Sequence, residues 1–129
     1  MGYFWKASLT LGGGIFIIVF TVYPFNFHFQ AIPTSEFFRR FGIGPGSFLD
    51  APRNILLFMP LGWALTLLLK DKITPVWRLG FIVGIFGFGS SVIVESLQVY
   101  LPQRTPTLSD LVANTVGALT GLLIGLGRI

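Results

Sequence analysis

Long apolar runs separated by short polar stretches dominate the chain. Four of these runs are long enough to cross a bilayer, and they cover about residues 7–29, 53–69, 77–100 and 109–127. A membrane-spanning helix needs about 20 mainly apolar residues, because it rises about 1.5 Å per residue through a hydrocarbon core of about 30 Å. The pattern therefore predicts an all-α protein, an integral membrane bundle of four transmembrane helices that forms a single domain over residues 1–129.

The first apolar run is predicted to be retained as a helix. The residues from Tyr3 to Lys6 precede it and suit an anchor at the membrane interface. The run has no good small-residue cleavage site and exceeds the apolar core of a typical secretory signal. We expect Pro24 to kink or end this span, because proline lacks the N–H group that a helix interior uses.

The longest connection, between Gln30 and Arg53, mixes aromatic and charged residues. Its central part interleaves them closely, as Glu36, Phe37, Phe38, Arg39, Arg40 and Phe41. Such a mixture is typical of a short segment that lies at the headgroup level. Two interpretations stay open, a lid over a site and a partly ordered linker.

Helix-capping and small residues add detail to the later spans. Asp50 is expected to cap the N-terminus of the second span. Gly80 and Gly84 in the third span would let another helix approach closely, and the fourth span carries glycines along one ridge, at Gly117, Gly121 and Gly125. We interpret these glycines as packing surface, since they lie inside apolar helices and do not follow a strand as a nucleotide-binding loop does.

Composition excludes most soluble classes. Charged residues make up 11% of the chain and hydrophobic residues 53%, whereas a soluble domain has roughly a quarter of its residues charged. The chain has no cysteine, which excludes disulfides, thiolate nucleophiles and Cys-based metal sites. The single histidine, His28, cannot form a metal cluster alone, and we expect it to have a structural role at the interface. We expect no metal and no cofactor.

We interpret the basic residues as signals of membrane topology. They are scattered over chain ends and connections instead of forming a stripe, which argues against nucleic-acid binding. Four spans would place both termini on one side, together with Lys6, Lys70, Lys72, Arg78 and Arg128. The other side would carry Arg39, Arg40, Arg53 and Arg104. The positive-inside rule then favours cytoplasmic termini, more strongly if Arg53 and Arg104 belong to a buried network.

Polar residues converge at the membrane face opposite the termini. Asp50, Arg53 and Asn54 open the second span, and the remaining members close the third span or open the fourth: Glu95, Gln98, Arg104, Asp110 and Asn114. The spacings Glu95–Gln98 and Asp110–Asn114 place each pair on one helix face. Glu95 would lie roughly 8 Å inside a helix that ends near Tyr100. A carboxylate at that depth is costly unless it is paired, so we expect Glu95 and Arg104 to belong to one coupled site.

Several of these residues also have a purely structural explanation. Thr107 and Asp110 resemble a capping box, Asp50 is explained by capping alone, and Asn54 by a hydrogen bond between helices. Glu95 with Gln98 and Arg104 is harder to explain in this way, because two polar groups one turn apart interrupt an apolar span.

At these positions the chain resembles the VanZ-like family of small bacterial membrane proteins. The resemblance lies in the order and spacing of Asp50-Ala-Pro-Arg53-Asn54, Phe58-Met-Pro60-Leu-Gly62, Glu95-Ser-Leu-Gln98, Arg104, Asp110, Asn114 and Gly117. It implies a four-helix, multi-pass protein of the bacterial cytoplasmic (inner) membrane. The family takes its name from a member associated with low-level resistance to the glycopeptide teicoplanin, and the resemblance implies no particular reaction.

Three functions remain open at this point. The first is an envelope protein that binds a lipid or cell-wall-precursor amphiphile on the extracytoplasmic side through Arg53, Asn54, Glu95, Gln98, Arg104, Asp110 and Asn114. Guanidinium groups match the geometry of phosphate and carboxylate. Teicoplanin resistance, if it applies, would arise indirectly from a changed envelope.

The second function is an enzyme acting on a lipid-linked phosphate, with Glu95 or Asp110 as general acid or base. No motif identifies a nucleophile, since the serines of the third and fourth spans have no nearby histidine in the sequence. The third is a structural or accessory membrane subunit. A channel or transporter is disfavoured for one copy, because four short helices leave little room for a pathway.

Overall fold

A computed structural model describes residues 2–42, 47–102 and 104–129 of the chain. Within these ranges the secondary structure is helical, in the order α1 (Gly2–Val22), α2 (Thr34–Arg40), α3 (Ser47–Leu69), α4 (Val76–Gln98) and α5 (Leu108–Gly125). All of these except α2 are long and apolar enough to cross a membrane. The predicted all-α bundle with four membrane-spanning helices is confirmed.

The first span begins and ends earlier than the sequence predicted. α1 begins at Gly2 and ends at Val22, so the expected helix over residues 7–29 is wrong in both bounds. A proline at position 24 lacks the N–H group and disfavours the helical conformation of the residue before it, which ends the helix there. The chain then continues without helix to Pro33, and His28 N donates to the carbonyl of Tyr100 at 2.9 Å.

The bounds of the other spans differ less. α4 and α5 end at Gln98 and Gly125, about two residues before the predicted ends. α3 begins at Ser47, so the expectation that Asp50 is the N-cap is wrong. Asp50 instead lies in the first turn, where its carboxylate still interacts favourably with the positive end of the helix dipole.

The long connection contains an ordered helix, α2, and its residues 43–46 lie outside the described part. Glu36 accepts hydrogen bonds from Arg39 Nε at 2.7 Å and from Arg40 Nε at 3.2 Å. These bonds lower the pKa of Glu36 to about 2, so it is ionised at neutral pH. Arg40 also donates to the carbonyl of Val99 at 3.2 Å and thereby ties α2 to the end of α4.

The fourth-span glycines form the central packing surface, as predicted. Gly117 lies against the backbone of Ile55, and Gly121 against the carbonyl of Met59. A Cβ added at Gly125 would lie 2.7 Å from Thr66 Cβ. Because even a methyl group does not fit, α5 and α3 approach each other at close backbone contact.

The third-span glycines also face α5, but less tightly. Gly80 and Gly84 would meet only leucine side chains, at 3.5 and 3.6 Å, if they carried a Cβ. The close approach is at Gly87, where a Cβ would lie 2.6 Å from that of Ala118. The buried apolar cluster continues between the four long helices, at Ile17, Phe58, Leu61, Leu65, Leu79, Val83, Val94, Ala118 and Leu122.

Both termini lie at the same end of the bundle as the α3–α4 turn. Lys6 Nζ lies 3.1 Å from Asp71 Oδ2, and Lys70 Nζ donates to the carbonyl of Gly125 at 3.2 Å. The opposite end of the bundle contains the end of α1, the beginnings of α3 and α5 and the end of α4. The predicted polar residues therefore share this second end.

Candidate functional site

A small polar cavity of about 120 Å³ lies at the end of the bundle opposite the termini; we name it the inner cavity. The seven candidate binding residues all line it, together with four more: Arg53, Asn54, Glu95, Gln98, Arg104, Asp110, Asn114, and Thr21, Asp50, Leu57 and Thr105. Helical spacing brought these side chains together as expected. Their participation in binding stays a prediction.

Asp110 is held by several hydrogen bonds within the protein. Its Oδ2 accepts from Thr107 N at 3.2 Å and from Thr107 Oγ1 at 2.7 Å, while Asp110 N donates back to Thr107 Oγ1. The predicted capping box is confirmed. Asn54 Nδ2 donates to the second oxygen at 2.6 Å and so joins α3 to α5. Both carboxylate oxygens are therefore occupied by structural bonds.

Glu95 is the contrasting carboxylate of the inner cavity. Its side chain is buried, with the residue 2% exposed. Oε1 lies 3.5 Å from Asn114 Nδ2, which donates a shorter bond of 2.8 Å to Ser91 Oγ. Oε2 is buried and accepts no hydrogen bond from the described residues. A buried acceptor without a donor costs about 1–3 kcal/mol, so a hydrogen bond from a ligand to this oxygen would be favourable.

Arg53 and Arg104 supply the positive charge of the inner cavity. Arg53 is exposed and Arg104 half-buried. Within the described ranges, ion pairs form at Lys6–Asp71 and between Glu36 and Arg39 or Arg40, and neither cavity arginine pairs with a carboxylate. Glu95 and Arg104 thus line one cavity without a direct ion pair, and their coupling stays a prediction.

Gln98 and Thr21 connect α4 to the end of α1. Gln98 Nε2 donates to the carbonyl of Thr21 at 3.0 Å, and the Thr21 hydroxyl bonds back to Ile17 O. Sequence reasoning missed Thr21, because a first span reaching Phe29 places it far from the helix end. It also passed over Ser91 as a partner, although Ser91 lies one turn before Glu95 on the same helix face.

A larger outer cavity of about 520 Å³ adjoins the inner one. Arg104 and Thr105 line both cavities. The outer cavity is bordered by the non-helical segment after α1, by Glu36 and Arg40 of α2, and by the α4–α5 connection. His28 lines it too and is exposed, at the end of the bundle where an interfacial residue was expected. Arg104 therefore lies at the junction of the two cavities.

The chemistry available in the inner cavity is that of guanidinium, carboxylate and amide groups. In the part of the chain that the structure describes, no three His, Asp or Glu side chains group as a metal site requires. Ser91 accepts a bond from Asn114 and so has an amide, not a histidine, as its neighbour. The arrangement suits recognition of an anion by arginine, with one carboxylate oxygen left to accept a further hydrogen bond.

Comparison with known protein families identifies the chain over nearly its whole length. A family model described as VanZ/LLP1 matches residues 5–127, nearly the whole chain. No curated protein and no solved structure matches the chain significantly.

Proposed function

The chain belongs to the VanZ/LLP1 family, and from that premise we propose that it binds the anionic headgroup of an amphiphile in the cell envelope. The amphiphile is a membrane lipid or a lipid-linked cell-wall precursor. Its phosphate or carboxylate would contact Arg104 at the junction of the two cavities, with Arg53 as the second cation.

The observation that carries this proposal is that Arg53 and Arg104 face a shared cavity without a carboxylate partner among the described residues. They line a polar cavity at one end of a four-helix membrane bundle and pair with no carboxylate of the described residues. A guanidinium group in such a place is available for bidentate bonds to phosphate or carboxylate. The ends of spanning helices lie near the lipid headgroups, so a headgroup would reach this end of the bundle.

The enzyme alternative is supported by one residue only. Asp110 is engaged by Thr107 and Asn54, so it is a poor candidate for proton transfer. Glu95 has a buried oxygen that accepts no protein bond, and it is the group that would act as general acid or base. Binding needs fewer assumptions, because it requires no nucleophile.

A link to glycopeptide resistance would be indirect under this proposal. A protein that retains an amphiphile changes the composition or exposure of the envelope without touching the antibiotic. If resistance depends on this site, deletion of the gene should alter the teicoplanin concentration that inhibits growth. A gene copy encoding Arg104→Ala should then fail to restore the original value. Full complementation by Arg104→Ala would separate resistance from the proposed site.

Lipid identification on the purified protein tests the proposal. Mass spectrometry of gently extracted wild-type protein should find one enriched anionic or phosphate-bearing amphiphile, and Arg104→Ala should deplete it. Arg128→Ala is the matched control, because Arg128 is exposed at the other end of the bundle. Identical lipid profiles for all three proteins would reject the proposal. Conversion of the enriched amphiphile during incubation would instead favour the enzyme.

A further inference from the structure

The inner cavity carries both signs of charge, and its negative part contains an unused acceptor. Glu95 Oε2 accepts no hydrogen bond from the described residues although the side chain is buried in the bundle. The other buried carboxylate, Asp110, has both oxygens occupied. The inner cavity therefore contains two arginines and, separately, one carboxylate oxygen that accepts no hydrogen bond from the described residues.

The neighbours that hold Glu95 in place do not bond this oxygen. Asn114 Nδ2 lies 3.5 Å from Oε1 and makes its short bond to Ser91. Both residues lie on helices that meet at close contact, Ser91 on α4 and Asn114 on α5. The position of Glu95 is thus set by packing, and Oε2 makes no hydrogen bond of its own within the described residues, so a ligand that carries an N–H group could supply one.

We propose that the Glu95 end of the inner cavity binds the ammonium group of a zwitterionic ligand whose phosphate contacts Arg104, a headgroup of the phosphoethanolamine class. This inference rests on the proposed function, because it assigns the ligand class to the same site. An ammonium group brings N–H donors to the unused oxygen and a positive charge to the buried carboxylate. Such charge-assisted bonds are stronger than neutral ones.

The placement of the two cavities favours a ligand whose phosphate and ammonium groups are separated by a short linker. Arg104 lines both the inner and the outer cavity, whereas Glu95 lines the inner one. A phosphate at Arg104 would leave the small inner cavity of about 120 Å³ for a compact group. A two-carbon amine is compact in this sense, and the rest of the amphiphile would extend through the outer cavity.

A headgroup series on the wild-type protein tests this without any substitution. The purified full chain is titrated calorimetrically with dihexanoyl phosphatidylethanolamine, its N-methyl, N,N-dimethyl and N,N,N-trimethyl derivatives, and phosphatidylethanol. All keep the phosphodiester, while the series removes N–H donors and finally the amine. Affinity should fall along the series by about tenfold or more in total, the effect of losing a hydrogen bond to a charged group. Equal affinities would overturn the inference.

Glu95→Gln adds a residue-specific arm. It should abolish the preference for phosphatidylethanolamine over phosphatidylethanol, measured as the ratio of the two affinities in the same variant. Asp71→Asn, at the other end of the bundle, is the control and should keep the preference. A preference that survives in Glu95→Gln would overturn the assignment of the ammonium to Glu95.

The same titrations separate this inference from the proposed function. Binding of every phospholipid without an amine preference would reject the ammonium subsite and leave the anion site standing. Binding of none would overturn the phosphoethanolamine assignment, and lipid identification on the purified protein would then decide the proposed function separately. Free phosphoethanolamine binding as tightly as the lipid would retain the subsite but remove the amphiphile from the proposed function.

Discussion

Asp110 shows how one side chain at the polar end serves the fold. One of its oxygens closes the capping box with Thr107, and the other accepts from Asn54 of α3. The first turn of α5 and the first turns of α3 are therefore fixed to each other by a single carboxylate. This places the adjacent cavity walls before any ligand is considered.

Replacing Asp110 should consequently affect stability more than its position near the interface suggests. Asp110→Ala removes the carboxylate half of the capping box and the bond to Asn54, and we expect a loss of about 1–3 kcal/mol in the free energy of unfolding. Denaturant unfolding in mixed micelles measures it. Ser109→Ala, a substitution at the neighbouring half-buried position, is the control and should change stability little. Equal stability of the two variants would contradict the structural role of Asp110.

Glu95 and Arg104 allow a second test at the residue scale. They line one cavity without an ion pair, so their coupling would act through the weakly screened field of the cavity. We expect a double-mutant cycle of Glu95→Gln and Arg104→Gln to give a coupling energy of about 0.5–1 kcal/mol, at the low end for interacting residues. The double variant should accumulate in the membrane but lose the amphiphile. Additive stability changes with retained binding would show that the two residues act independently.

Individual site residues were predictable where helix periodicity alone decided their position. The three- and four-residue spacings put Glu95 with Gln98 and Asp110 with Asn114, and such spacings depend only on backbone geometry. Thr21 could not be found in this way, because its place at the cavity depends on where α1 ends. The pairing of Asn114 with Ser91 depends on the rotation of α4 against α5, which side-chain packing determines.

At the scale of the helices, glycines decide how closely α5 can approach its neighbours. The ridge of α5 was predictable from the four-residue spacing of its glycines. The helix that packs against this ridge could not be predicted, because the glycine spacing identifies a packing face without saying which helix covers it. The structure shows α3 on that face, where Gly62 in turn lies against the backbone of Ala118.

This packing predicts a strong position dependence for the smallest possible substitution. Gly121→Ala places a methyl group against the backbone of α3, and we expect it to destabilise the bundle by about 1–3 kcal/mol or more through overpacking. Gly89→Ala is the matched control in α4, since a Cβ there would meet nothing within 4 Å. It should be neutral or stabilising by about 0.5–1 kcal/mol, because alanine favours a helix over glycine. Thermal unfolding in detergent compares the two, and equal melting temperatures would show that the ridge is not a tight interface.

For the whole molecule, the sequence predicted the number of spans and their class, because long apolar runs are a strong signal. It predicted the first span poorly, since the apolar residues after Pro24 extend the run but not the helix. Of residues 25–29, His28 lines the outer cavity, and the chain continues along that cavity from Gln30 to Pro33. An extended apolar and aromatic segment cannot be distinguished from the end of a span by hydropathy alone.

The orientation of the bundle decides which face of the membrane carries the two cavities. Lys6, Lys70 and Lys72 lie together at the end that also holds both termini, with Lys72 Nζ 4.0 Å from the Tyr3 ring centroid. The positive-inside rule predicts that this basic end is cytoplasmic, and the cavities would then face the extracytoplasmic side. Cysteine labelling can test this cleanly, because the chain has no cysteine of its own.

We predict that Ser35→Cys and Thr74→Cys label from opposite sides of the membrane. Both positions are exposed, Ser35 in α2 beside the outer cavity and Thr74 in the α3–α4 connection. A membrane-impermeant maleimide should modify Ser35→Cys in intact spheroplasts and Thr74→Cys only after the membrane is opened. Labelling of both variants after opening controls for reactivity. The reverse pattern would place the cavities in the cytoplasm, where a ligand would have to come from the inner leaflet, and would remove the outer face of the envelope from the proposed function.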